Sequence, residues 1–167
     1  QSNVYFAETG QFLSEPFLSY WRANGDVRIF GFPISDRIQE KVESTGETYT
    51  AQYFERARME QHAASPGTVV LGRLGAMFHE PEPPASPIDG AQFFAETGHN
   101  LQGPFLAFWQ QYGGLAVFGF PISEEITETN PVDGKQYTVQ YFERNRFELH
   151  PEFAGTPNEV QLGLLGT

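Results

Sequence analysis

The sequence predicts an α+β fold of two tandem repeat units, each a meander of short antiparallel strands with one or two short helices. Three observations predict it. One pattern is written twice at an offset of 88 residues, without a gap as far as Glu60 and Glu148: Tyr5-Phe6-Ala7-Glu8-Thr9-Gly10 returns as Phe93 to Gly98, Phe30-Gly31-Phe32-Pro33-Ile34-Ser35 as Phe118 to Ser123, and Tyr49 to Arg56 as Tyr137 to Arg144. After Glu60 and Glu148 the register slips by three, so that Leu71-Gly72-Arg73-Leu74-Gly75 matches Leu162-Gly163-Leu164-Leu165-Gly166 at an offset of 91. The extra residues belong in a loop, because an insertion inside a strand turns every later side chain to the other face. The apolar residues, finally, are aromatic and fall in short runs broken by Gly and Pro. With 16 Phe, 7 Tyr and 2 Trp in 167 residues, the chain is too aromatic to be disordered.

Each element follows from local chemistry. Pro16 and Pro104 suit a helix start, where a missing N–H costs nothing. Behind them Phe17, Leu18, Tyr20 and Trp21, and likewise Phe105, Leu106, Phe108 and Trp109, supply an apolar helix face. Gly25 and Gly113 end these helices. The Phe-Gly-Phe-Pro segments read as loops, extended before each proline. A strand is expected from Arg37 to Val42 (Glu125 to Thr129), paired with one from Tyr49 to Phe54 (Tyr137 to Phe142) across the turn signals Ser44-Thr45-Gly46 and Asp133-Gly134. A third strand covers Arg58 to His62 (Arg146 to His150), and a last apolar piece, Val69 to Leu74 or Val160 to Leu165, closes each copy. Residues 1–79 are thus the first unit and 91–167 the second. Between them residues 80–90, with four prolines, read as a semi-rigid linker.

Charge and composition exclude several function classes. The formal net charge is −11, with 7 basic and 11 acidic residues in 1–88 and 3 and 10 in 89–167. Nucleic acid is not an expected partner, since phosphate neutralisation needs clustered Lys and Arg, and anionic membrane surfaces are disfavoured for the same reason. No apolar run approaches the length of a membrane span, so no membrane insertion is expected. The absence of cysteine removes disulfides, thiolate metal sites and a Cys nucleophile.

The order Trp…Gly-x-x-x-x-Phe-Gly-Phe-Pro-Ile-Ser-(Asp/Glu), then Gln-Tyr-Phe-Glu-Arg, then Val-x-Leu-Gly, resembles the LGFP repeat of secreted and cell-envelope bacterial proteins. The tetrapeptides that carry the resemblance are Phe30-Gly31-Phe32-Pro33 and Phe118-Gly119-Phe120-Pro121, with Phe in place of the leading Leu. The later Phe-Glu turn of that family is similar to Phe54-Glu55-Arg56-Ala57 and Phe142-Glu143-Arg144-Asn145. The resemblance implies an envelope-associated or targeting module, not a catalyst. It also implies an extracellular or cell-surface location, with a signal peptide removed before Gln1.

The repeated pattern Phe-Glu-Arg-x-Arg-x-Glu-x-His offers the candidate site. On a strand Arg58, Glu60 and His62 share one face, as do Arg146, Glu148 and His150. With Tyr53, Glu55 and Arg56, and with Tyr141, Glu143 and Arg144, they form either a polar strip for a ligand or an Arg–Glu network that closes the turn. Tyr53 and Tyr141 point opposite to Phe54 and Phe142 and are candidates for stacking on sugar rings. Trp21 and Trp109 sit on the apolar helix face and read as core. Glu8 and Glu96, with Glu55 and Glu143, are the residues a glycoside hydrolase would need as a carboxylate pair. His62, His79, His99 and His150 form no zinc motif, Ser35 and Ser123 lack a nucleophile elbow, and no phosphate or calcium loop occurs, so no metal and no cofactor are expected. A duplicated surface suits binding better than chemistry. The sequence therefore points to a non-catalytic module attaching a protein or cell to cell-wall or extracellular polysaccharide. The alternatives are a subunit that assembles with copies of itself into a surface filament and, after that, a small glycan-cleaving enzyme.

Overall fold

The computed structural model describes residues 3–41 and 44–166. The fold mixes helix and strand, with antiparallel sheets and a few short helices. The chain divides into two compact units, one of residues 1–72 with 164–167 and one of residues 73–163. The Pro-rich segment 80–90, expected as a linker, lies inside the second of these units, where Glu82 N–H donates to Ile122 O (2.8 Å) and Ala85 N–H to Gly98 O (2.7 Å).

In the first unit a hairpin of β1 (Asn3–Phe6) and β2 (Gln11–Ser14) turns at Gly10, whose φ is 72°. Two helices follow, α1 (Phe17–Ala23) and α2 (Asp26–Ile29), separated by Gly25. Gly25 ends the first and opens the second at φ 114°, and a Cβ there would lie 2.3 Å from Ile29 Cγ1, so both conformation and space call for glycine. A four-stranded sheet then runs in the order β3 (Ile38–Lys41), β4 (Thr48–Tyr53), β5 (Arg58–His62), β6 (Val69–Leu71). Its alternation sends Met59 and Leu71 inward, where Phe17, Leu18, Ile29, Phe30 and Phe54 are also buried. Val42, the expected end of β3, lies outside the described residues.

The second unit opens with α3 (Leu74–Phe78), followed by the hairpin of β7 (Gln92–Phe94) and β8 (His99–Leu101), then α4 (Gly103–Gln111) and α5 (Gly114–Phe118). Its sheet runs β9 (Ile126–Thr129), β10 (Gln136–Tyr141), β11 (Arg146–Leu149), β12 (Val160–Leu162). Phe147 of β11 is the hub of the core, its ring 5.7 Å from Phe105, 5.1 Å from Phe108, 4.9 Å from Phe118 and 4.1 Å from Phe142. The three extra residues fall in the connection between β11 and β12, which carries a short 3-10 turn at Pro151–Phe153. Among the described residues, no helix is long and apolar enough to cross a membrane.

Several strands end earlier than the apolar pattern suggests. Within the last apolar pieces the strands stop at Leu71 and Leu162, and the next glycines keep one bond each, Gly72 N–H to Arg58 O (2.8 Å) and Gly163 N–H to Arg146 O (2.9 Å). A Cβ on Gly72 would lie 2.5 Å from Arg58 Nε, and one on Gly163 2.8 Å from Arg146 Nε. Strand β11 ends at Leu149, and His150 starts the turn that follows. Phe54 and Phe142 leave their strands but keep single bridges to Pro33 and Pro121.

Candidate functional site

The Phe-Glu-Arg turn and the Phe-Gly-Phe-Pro loop are one structural node. Trp21 Nε1 donates to Gly31 O at 3.0 Å, and Glu55 Oε1 accepts the Phe32 N–H at 2.9 Å. Glu55 N–H donates to Phe32 O (3.1 Å), Arg56 N–H to Phe30 O (3.0 Å) and Ile34 N–H to Tyr53 O (2.9 Å). The Arg56 guanidinium reaches Val27 O at 3.0 Å. In the second unit Trp109 Nε1 donates to Gly119 O (3.0 Å), Phe120 N–H to Glu143 Oε1 (3.0 Å) and Arg144 to Leu115 O (2.9 Å). Gly31 and Gly119 sit at φ 77° and 79°, and a Cβ on either would lie 2.7 Å or less from Glu55 or Glu143. Glu55, Arg56, Glu143 and Arg144, expected on a ligand strip, are thus partners of a loop that would otherwise leave polar backbone groups unsatisfied.

The remaining strip residues do share one face of each sheet. In the first unit Tyr53 pairs with Arg58, Ala51 with Glu60 and Tyr49 with His62, and Glu40 of β3 faces Tyr49. Arg58 grips Glu60 Oε2 through Nε (2.9 Å) and Nη2 (2.6 Å), and its Nη1 lies 3.4 Å from the Tyr53 hydroxyl and 3.9 Å from Glu40. The other Glu60 oxygen meets His62 Nε2 at 2.9 Å, while His62 Nδ1 lies 3.3 Å from Glu47. The His62 ring stacks on Tyr49 at 4.8 Å. Burial works against the charge on Arg58, but Tyr53 and Glu60 outweigh it and hold the guanidinium above its ordinary pKa. The hydrogen bond that His62 donates to Glu60 raises its pKa, with burial opposing and Glu47 assisting.

The second unit has the matching contacts, with its tyrosines and histidine more enclosed and its Arg and Glu enclosed to about the same degree. Arg146 pairs with Glu148 and lies 3.8 Å from Glu128, Tyr141 donates to Glu128 at 2.9 Å, and His150 Nε2 lies 3.2 Å from Glu148. Burial, and Glu128 after it, raise the Tyr141 hydroxyl pKa, while Arg146 pulls it down. Tyr137 hydrogen-bonds Asp133 at 2.5 Å, which pushes its pKa up to about 12. The covering differs most. The His79 ring lies parallel on Tyr141 at 4.2 Å and leaves it 5% exposed, and Tyr137, with the His150 ring 4.5 Å away, is 8% exposed, whereas Tyr49 and Tyr53 are half-buried. The cleft beside Glu128, Tyr137, Arg146 and Glu148 has about 10 Å³ of open volume, room for about one water and not for a sugar ring.

Sequence reasoning missed Glu40 and Glu128, which complete both networks, and Tyr49 and Tyr137, which flank the histidines. All four recur at the 88-residue offset on the strip's own face, so strand alternation carried the signal. It also missed a cluster confined to the second unit. His99, 1% exposed, places Nδ1 2.8 Å from Glu124 Oε2 and Nε2 3.0 Å from Glu82 O, while Asn100 donates to Glu124 Oε1 at 2.8 Å and to Ser86 O at 2.9 Å. The equivalent residues of the first copy are Gln11, Phe12 and Asp36, so no repeat signal marked it. Glu8 and Glu96 are exposed beside their turns. No group of three or more side chains suited to holding a metal ion occurs among the described residues.

Compared with known proteins, the chain matches no protein-family model, no curated protein and no solved structure.

Proposed function

We propose that the protein is a non-catalytic extracellular module of two tandem LGFP-like units that attaches a larger protein, or the cell, to an envelope or external polysaccharide. The family and the location rest on the repeated Phe-Gly-Phe-Pro and Phe-Glu-Arg motifs. The observation that carries the binding reading is the open strip of the first unit, where half-buried Tyr49 and Tyr53 flank the Arg58–Glu60–His62 network. Rings fixed by their own hydrogen bonds lose little entropy when a sugar face stacks on them, and the polar groups between them match ring hydroxyls. In the second unit Tyr141 already carries a flat ring, that of His79, so this tyrosine position accepts a planar partner. Both Glu60 oxygens are engaged, by Arg58 and by His62, and Glu55 accepts a backbone N–H, so neither is poised to protonate a leaving group.

Retention on isolated bacterial cell walls and on insoluble polysaccharide tests this reading. Replacing Tyr49 and Tyr53 together by alanine should reduce retention at least tenfold, about 1.4 kcal/mol. Unchanged retention by a folded double variant would overturn it. A second reading, assembly of copies through the chain's own connections, is favoured by the seating of residues 164–166 in the first unit.

A further inference from the structure

Each unit closes on a Leu-Gly step, and in neither does that step come from the residues that directly follow the unit's own sheet. The first unit's sheet ends with Leu71 and Gly72, and the segment that completes the unit is residues 164–167. The second unit's sheet ends with Leu162 and Gly163, and Arg73 to Gly75 belong to that unit although they follow β6. The seat is the same in both. Gly166 N–H donates to Glu55 O at 3.0 Å, and a Cβ on Gly166 would lie 1.7 Å from Phe54 O. A Cβ on Gly75 would likewise lie 1.7 Å from Phe142 O, and the next N–H, that of Ala76, donates to Glu143 O at 3.0 Å. Leu165 is 9% exposed and Leu74 2%.

Two properties follow. The seat selects for sequence, because no side chain fits at the glycine and the preceding leucine is buried. It does not select for position along the chain, because the two seats take segments that differ in what precedes them and in where they lie.

We propose that the turn Phe54-Glu55 is a binding site for a Leu-Gly peptide segment, and that the segment Leu164-Leu165-Gly166 of a second copy of this chain takes it by exchange. The intrachain tail competes at an effective concentration on the order of millimolar, so dilute protein keeps its own tail. Refolding at high protein concentration lets tails seat in other copies. Reciprocal exchange closes a dimer, and one-way exchange propagates along a row. This rests on the second reading above and is independent of the polysaccharide reading, because Gly166 and Leu165 lie outside the Tyr49–Tyr53 strip.

The full-length chain with Gly166→Val tests it, with Leu165→Ser as a second variant should the first misfold. Near-UV circular dichroism of Trp21 and Trp109 reports the fold. The fluorescent peptide Gln-Leu-Gly-Leu-Leu-Gly, the sequence of residues 161–166, should bind the folded variant at least tenfold more tightly than the wild type, whose seat is filled. The same peptide ending in Val should not bind. Wild-type protein refolded at high concentration should yield dimers or longer species by light scattering, and the variant should stay monomeric. Absence of peptide binding to a folded variant, or wild-type monomers alone after concentrated refolding, overturns the proposal. Cell-wall retention that persists in Gly166→Val would separate its failure from that of the polysaccharide reading.

Discussion

The sheet of the first unit and the sheet of the second carry the same Tyr, Arg and Glu at the same register and enclose Arg and Glu alike, yet the tyrosines are half-buried in one and covered in the other. The cover comes from residues the repeat does not duplicate. His79 lies on Tyr141, and the Pro-rich segment meets Gly98, His99 and Asn100 of the second hairpin, with Pro84 Cβ 2.5 Å from where a Gly98 Cβ would sit. In the first hairpin Gly10 has Tyr5 beside it instead, and Tyr5 and Phe12 remain 55% and 51% exposed. Residues at the 88-residue offset therefore have different surroundings in the two units, and those surroundings set how exposed each tyrosine is.

The comparison can be broken first through stability. Tyr141→Ala removes a side chain 5% exposed, stacked on His79 and hydrogen-bonded to Glu128, and should cost about 3–5 kcal/mol. Tyr53→Ala, at a half-buried position, should cost about half as much. Urea unfolding combined with amide exchange in β10 and β4 reports both losses. Equal losses would mean that the two faces are equally enclosed.

A half-buried acid of the second unit makes a sharper contrast. Glu124 accepts from Asn100 N–H (3.0 Å), Asn100 Nδ2 (2.8 Å) and His99 (2.8 Å), whereas Asp36 at the equivalent position is exposed. Burial works against its charge, but the two Asn100 bonds and His99 prevail and hold the carboxyl below its ordinary value. A depressed folded-state pKa gives stability that is present above the unfolded value of 4.5 and is lost as pH falls through the folded one. Glu124→Gln should cost about 2–3 kcal/mol near neutral pH and flatten the loss of stability below about pH 5. Asp36→Asn should stay within about 0.5 kcal/mol. An acid slope that survives Glu124→Gln would assign it to another carboxylate.

What could be read from the sequence follows from the range of the forces involved. Strand β5, the helix starts at Pro16 and Pro104, and the shared face of Arg58, Glu60 and His62 depend on neighbours within a few residues, and alternation or proline chemistry gives them directly. The hairpins β1–β2 and β7–β8 were not readable, because strands of three or four residues around Ala-Glu-Thr-Gly are too short to show a period. The sequence places Glu55 on the candidate strip but does not show its role as acceptor for a loop amide. Its partner, the Phe32 N–H, is 23 residues away, and only folding shows that the glutamate fills the space Gly31 leaves. The cover on Tyr141 was beyond reach for the same reason, since His79 has no counterpart within the duplicated pattern to mark it.

The smallest expected difference concerns His62. Its pKa is raised by the Glu60 hydrogen bond, against burial and with help from Glu47. A raised folded-state pKa gives stability that is fully present below the unfolded value of 6.5 and is lost as pH rises through the folded one. With the side chain 26% exposed, solvent screening keeps the contribution to about 0.5 kcal/mol. In the first unit, then, unfolding free energy should decline slightly between about pH 6 and 8, and His62→Gln should remove that decline. An NMR titration of the His62 ring, followed alongside urea midpoints across the same range, checks both the direction and the size. A His62 midpoint at or below 6.5 would leave Glu60 bound to Arg58 alone, and the open strip would then present a neutral ring beside Tyr49.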